Sequence, residues 1–377
     1  MKKIQMVDLK SQYDTIASVV NASIQEVLNT NTYINGPQVH QFQKSLEEYL
    51  DVKHVIPCAN GTDALQIAMM GLGLQPGDEV ITADFTFAAT VEVIALLQLT
   101  PVLVDVDLDT MNISLERIKN AITPKTKAIV PVHLFGRAAN MEAIMELANE
   151  HNLFVIEDNA QAIGANYTFP DGTKKKVGTI GQVGATSFFP SKNLGCYGDG
   201  GAIFTNDDAL AHRLRGIVNH GMYERYHHDV VGVNSRLDSI QAAVLNAKLP
   251  LLDKYNAARR LAASKYNKAF SGHSNIVTPE FDWDGDDHVF HQYTLRIINA
   301  DRNGLMQYLL DKGIPCAIYY PIPLHSQKAY VDVRYKEEDF PVTNQLVKEV
   351  IALPMHTELD DDQIQFITDS VLEFLKQ

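Results

Sequence analysis

Between Gly77 and Ala165 the chain alternates continuous apolar segments with amphipathic ones. DEVITADFTF leads into a helical pattern through Ala95, PVLVDVD into one after Asn112, KAIVPVHLFG into one from Asn140, and LFVIEDNAQAIGA closes the series. Strands that are apolar on both faces have to be covered on both faces, and the intervening helices supply the cover. This stretch therefore reads as an α/β domain built on a largely parallel, doubly covered sheet. No GxGxxG follows the first strand, which disfavours a dinucleotide fold. In open sheets of this kind ligands collect beyond the carboxyl ends of the strands.

The flanks bound the rest. Residues from about Leu9 to Leu50 are helical in pattern, with a break at Gly36–Gln38. The chain changes character after Pro250, where HVFHQYTLRII, a helix from Asp301, IPCAIYYPIPLH and a terminal helix after LPMH alternate in a way that fits antiparallel strands with helices. We expect a large domain over residues 1–250 and a smaller α+β domain over 251–377, with the N-terminal helices free to pack on the smaller one. The acidic run PEFDWDGDDH lacks the twelve-residue calcium-loop spacing and reads as a solvated loop.

A net charge of -14 argues against recognition of a nucleic-acid backbone or an anionic membrane through the bulk surface. Three widely spaced cysteines without a CxxC pair suggest neither a disulfide framework nor a zinc site, and no apolar run approaches membrane-spanning length. The expected location is the cytoplasm.

Chemistry concentrates in SFFPSKNLGCYGDGG, Ser187 to Gly201, where Lys192 stands between an apolar strand and a glycine-rich turn. A lysine there is either a solvated turn residue or, within a partly apolar cleft, an amine that loses hydration and becomes a nucleophile able to form a Schiff base. In HVIPCANGTDAL a strand, a turn at Gly61 and a helix opened by Thr62 aim free amides at one point, which suits a phosphate or a plain helix cap. Asp158 closes the strand LFVIED, with Gln161 one turn later. An acid there can cap a helix, bind a metal or hold a cation such as a protonated pyridine nitrogen. Phe87, after VITADFTF, is either core or a flat face for a ring. The spacing of His220, His227 and His228 matches no known metal set. Arg236 either pairs locally or offers its fork to phosphate or carboxylate.

A lysine nucleophile, a carboxylate at a strand end, a phosphate-like turn and a stackable aromatic together describe a pyridoxal phosphate site. On ANGTDAL, TFAAT, VIEDNAQAIGA, SFFPSKNLGCYGDGGAIFTN, GVNSRLDSIQAA and YYPIPLH, the chain resembles the DegT/StrS family of nucleotide-sugar aminotransferases along nearly its whole length. The resemblance implies a fold-type I architecture with a seven-stranded sheet. It implies that Lys192 carries the cofactor and shuttles the proton, that Asp158 holds the pyridine nitrogen and that Gln161 bonds the ring's 3′ oxygen. It further implies that Gly61, Thr62 and Ser187 bind the phosphate, that Phe87 stacks on the ring, and that Asn234 reaches the neighbouring subunit's cofactor in a homodimer with shared sites. His220, Arg236, Tyr319, Tyr320 and His325 are the implied substrate contacts. RYHH, NSRLD and YPIPLH look most like members that aminate UDP-2-acetamido-2-deoxy-3-oxo-glucuronate for bacterial surface polysaccharides, with glutamate as donor and Arg236 as the uronate's cation. Tyr319 stands where some such members place histidine, and a dTDP- or UDP-linked 3- or 4-ketosugar is the alternative substrate. A degenerate relative acting as a non-catalytic, cofactor-binding regulatory module would be expected to lose Lys192, Asp158 or the phosphate turn, and this chain has all three.

Overall fold

The structure, a computed structural model, describes residues 2–280 and 285–376. The chain opens with α1 (Leu9–Thr30) and α2 (Pro37–Leu50), separated where Gly36 sits at the N-cap and Pro37 fills the first helical position, which needs no N–H. Then come β1 (His54–Cys58), α3 (Gly61–Leu72), β2 (Glu79–Ala83), α4 (Ala89–Leu96), β3 (Thr100–Val104), α5 (Leu115–Ala121), β4 (Thr126–Val130), α6 (Met141–Glu150) and β5 (Phe154–Asp158). A small hairpin of β6 (Asn166–Thr168) and β7 (Lys174–Lys176) precedes β8 (Val183–Ser187) and β9 (Gly201–Thr205).

These strands form a seven-stranded sheet in the order β1-β9-β8-β5-β4-β2-β3. From β8 through β3 all neighbours are parallel, whereas β9 runs antiparallel to both β8 and β1. Alternate side chains serve opposite faces. Val80, Val130 and Ile156 pack with Leu65, Met69 and Leu214, while their neighbours Ile81, Ile129 and Val155 pack with Ile118, Ile144 and Leu147. Each such fully buried aliphatic side chain contributes about 1.5–3 kcal/mol, which is why the strands read as unbroken apolar runs.

Beyond the sheet follow α7 (Asp208–Ile217), a hairpin of β10 (Met222–Glu224) and β11 (His227–His228), and α8 (Ser239–Lys248). Pro250 lies in a short 3-10 turn that separates α8 from α9 (Leu252–Phe270). The C-terminal part contains β12 (Ile276–Val277), β13 (Tyr293–Ile297), α10 (Arg302–Asp311), α11 (Pro341–Glu349), β14 (Val350–Leu353) and α12 (Asp361–Leu375). Its three strands are antiparallel, and Tyr266, Phe270, Tyr293, Leu305, Ile351 and Ile367 share one core.

One expectation changes. IPCAIYYPIPLH supplies no strand beyond a single bridge between Ala317 and Ala352, because its prolines and tyrosines form a loop over the large sheet. The N-terminal helices α1 and α2 pack chiefly on α8, while Tyr49 of α2 donates to Asp253 of α9 at 2.6 Å and the segment before the helices, through Ile4 and Met6, reaches the C-terminal core. Of the acidic run, residues 281–284 lie outside the described residues, while Asp286 pairs with Lys174 at 3.0 Å.

Candidate active site

The carboxyl end of β5 delivers Asp158, which is 5% exposed. Its carboxylate accepts from two neutral donors, the Thr90 hydroxyl at 2.8 Å and the Ala160 amide at 3.1 Å. Burial raises its pKa above the ordinary range, opposed by those donors and then by Lys192. Two hydrogen bonds leave acceptor capacity unused, so the group is suited to a cationic N–H donor.

Lys192 belongs to the connection between β8 and β9. Because β8 lies beside β5 with Asp158 opposite Ala185, that connection emerges next to Asp158. It is a fixed loop. Lys192 N donates to the Phe189 carbonyl at 2.8 Å, and Cys196 N donates to that of Phe188 at 2.8 Å. From α8, buried Lys248 donates to the Gly195 carbonyl at 2.7 Å, and from α9, Asn256 accepts from Asn193 at 2.7 Å. Desolvation lowers the Lys192 pKa to about 8, partly offset by the Asp158 charge. Buried His291 is close enough to feel the charge of this lysine. Burial, then Lys192 and Arg259, hold its imidazole well below the ordinary pKa, and its Nδ1 has no hydrogen-bond partner.

A third group converges from α3. Asn60 caps the helix by accepting from Asp63 N at 2.8 Å, which leaves the first-turn amides of Gly61 and Thr62 without acceptors inside the helix. Ser187, the last residue of β8, lies against that turn. A Cβ on Gly61 would fall 2.6 Å from the Ser187 Cβ and 3.3 Å from its hydroxyl, so glycine alone lets amides and hydroxyl meet. With the positive end of the helix dipole, this is an anion cradle.

The far wall follows β2. Phe87 is 58% exposed with its ring 6.2 Å from that of Tyr320, so it is not core. Gln161 is fixed at both ends of its amide: its oxygen accepts from Phe135 N at 2.6 Å and its nitrogen donates to the Tyr320 hydroxyl at 3.1 Å. Tyr319, half-buried, is next in the chain to Tyr320. Thus Lys192 lies beside Asp158, Ser187 lies against Gly61, and Tyr320 joins Gln161 to Phe87, all near the carboxyl ends of parallel strands, where sheets of this kind present their cleft.

Four other candidates stand differently. His325 is buried, with Nδ1 2.7 Å from Asp84 and its ring stacked on Phe340, so the expected substrate contact is taken up inside the fold. Asn234 and His220 are exposed, and Arg236 is half-buried with Nη1 3.4 Å from Asn219 and Nε without a partner. Thr90, His291 and Asp84 escaped the sequence reading. Thr90 had a signal, since it opens α4 just past a strand end, on the same side as Asp158.

The unused acceptor capacity of Asp158, the glycine-dependent cradle and the low-pKa amine fit a phosphorylated, protonated pyridine aldehyde. A model of the DegT/DnrJ/EryC1/StrS aminotransferase family matches residues 14–372. A curated relative in Pseudomonas aeruginosa, UDP-2-acetamido-2-deoxy-3-oxo-D-glucuronate aminotransferase, is 45% identical over 97% of this chain and 98% of its own. A pleiotropic regulatory protein of Geobacillus stearothermophilus is 44% identical over 99% of both. Among solved structures, NtdA from Bacillus subtilis with bound cofactor PMP matches with a TM-score of 0.91 at 30% identity, covering 100% of this chain and 86% of that one.

Proposed function

Because the chain belongs to the DegT/DnrJ/EryC1/StrS aminotransferase family, we propose that it aminates UDP-2-acetamido-2-deoxy-3-oxo-D-glucuronate at C3, with glutamate as the amino donor. It is a pyridoxal phosphate-dependent nucleotide-sugar aminotransferase. What supports the choice of sugar is the 45% identical relative of that name together with Arg236, a guanidinium whose Nε lacks a partner and whose planar fork suits a uronate carboxylate.

Pyridoxal phosphate, when bound, supplies an electron-withdrawing ring that stabilises negative charge on the carbon bearing the transferred amine. The chain's residues do the rest. The amides of Gly61 and Thr62 and the Ser187 hydroxyl would hold the phosphate, and Phe87 would cover one ring face. Asp158, positioned by Thr90, would keep the ring nitrogen protonated. Gln161, held by Phe135 and Tyr320, would face the 3′ oxygen. Lys192 would attach the cofactor and then, released, carry the proton between the cofactor's C4′ and the substrate carbon, first for glutamate and then for the ketosugar. One amine doing both tasks needs a pKa near working pH, as its burial provides.

Asn234, exposed and remote in sequence from the cradle, is proposed to complete the partner subunit's phosphate site in a homodimer with shared sites. No helix among the described residues is long and apolar enough to cross a membrane, and a cytoplasmic place is proposed. The regulatory relative favours a second reading, a cofactor-binding module without turnover. Against it stands the completeness of the set, since Lys192, Asp158 and the phosphate turn are all present.

The test is mass-spectrometric detection of the UDP-linked 3-amino uronate from the 3-oxo uronate and glutamate, beside the uncharged 3-oxo-N-acetylglucosamine analogue. Preference for the uronate supports the proposal. Equal or better use of the uncharged sugar removes it.

A further inference from the structure

Outside the lysine–aspartate pair, a buried polar cluster lies at the carboxyl end of β2. Asp84 follows that strand directly, and its side chain is fully buried. Burial raises its carboxyl pKa, an effect that His325 opposes. Asp84's partners in this cluster come from one distant segment. Leu324 N donates to the Asp84 carbonyl at 3.3 Å, His325 N donates to Oδ1 at 2.7 Å, and the His325 Nδ1 meets Oδ2 at 2.7 Å. The imidazole lies flat on Phe340, with ring centres 4.4 Å apart and planes 8° apart, and Phe340 is buried with Val91, Leu103 and Leu324.

The same segment carries Tyr319 and Tyr320 over the cleft. Tyr320 lies against Phe85 at 6.1 Å and Phe87 at 6.2 Å and accepts from Gln161, so its two ends are tied to one strand terminus. Asp84, Phe85 and Phe87 are close neighbours in the chain, so the segment is held to the same strand end at both His325 and Tyr320.

We propose that Asp84 and His325 form a buried latch that fixes the Tyr319–His325 segment over the cleft, making His325 a positioning residue for sugar-nucleotide recognition. The latch rests on the nucleotide-sugar aminotransferase reading and adds to it a residue that does not touch substrate.

His325→Phe keeps a flat ring on Phe340 and removes the donor to Asp84, whereas His325→Asn offers an N–H in place of Nδ1. Steady-state kinetics with the UDP-linked 3-oxo uronate and glutamate should show the sugar KM raised about tenfold in H325F, with kcat within about threefold, the scale of loss expected when a binding group is misplaced by a fraction of an ångström. H325N should restore most of the wild-type KM. An unchanged KM in folded H325F, or H325N as impaired as H325F, overturns the latch. If H325F does not fold, D84N takes its place, with a raised sugar KM expected and an unchanged one overturning the proposal. A wild-type enzyme that aminates neither sugar nucleotide overturns the reading beneath it, a result distinct from an active enzyme whose variants keep their KM.

Discussion

The amine of Lys192 is set by two opposed effects, burial that removes its hydration and the carboxylate of Asp158 that favours its charge; burial wins, and the pKa falls to about 8. Only the neutral amine attacks an aldehyde. In cofactor-free protein the rate of pyridoxal phosphate capture should therefore rise roughly tenfold per pH unit below about 8 and level off above it. Stopped-flow absorbance checks this; a flat profile means the amine is not the one that reacts. Lys192→Ala should reduce transamination by at least about 10²-fold, the ordinary worth of a positioned acid–base group, while the protein still binds the pyridoxamine form through the cradle. Asp158→Asn should lower kcat by about 10²–10³-fold if the carboxylate holds the ring proton. An unchanged rate would leave Asp158 as a cap for Ala160 alone. Lys192 and Asp158 were legible because a lysine in a glycine-rich turn and an acid closing an apolar strand both conflict with the local pattern. Asp84 was not, since a short polar residue beside a strand end looks like any cap until the fold brings its partner, His325, against it.

Among the elements, α3 and the β8–β9 connection carry the most function. The N-cap Asn60 holds the first turn, and Asn60→Ala should cost about 1 kcal/mol in chemical denaturation. Gly61→Ala tests the cradle more sharply, because its Cβ would meet Ser187 at 2.6 Å. We expect cofactor affinity to fall at least about tenfold, as one or more phosphate contacts are displaced, with the far-UV circular dichroism unchanged; full affinity would place the phosphate elsewhere. The strands, the helices and the break at Pro250 were readable from periodicity and punctuation. The antiparallel direction of β9 was not, because the connection before it turns back through glycines whose conformation no pattern announces. The loop read as part of an alternating C-terminal pattern, IPCAIYYPIPLH, failed for a related reason: its apolar residues pack on the large sheet and on Phe340, so they look like a strand without pairing as one.

For the whole molecule, the site is built from segments as far apart as Gly61 and Tyr320, and Asn234 and Arg236 flank Ser235, whose hydroxyl accepts from Ala59 N at 3.1 Å beside the cradle turn. If they serve the partner's site, mixing Lys192→Ala with Asn234→Ala subunits should return activity, since each mixed dimer keeps one unaltered site, about a quarter of all sites at random assortment. Absence of any recovery would confine each site to one chain. Arg236→Ala should weaken the uronate more than its uncharged analogue. The most direct test of the central claim is the visible absorbance of the purified, cofactor-loaded protein before and after glutamate alone. The account predicts a yellow band that glutamate bleaches to the pyridoxamine spectrum with release of 2-oxoglutarate. A protein that forms no band when given pyridoxal phosphate, with Lys192 intact, would contradict it.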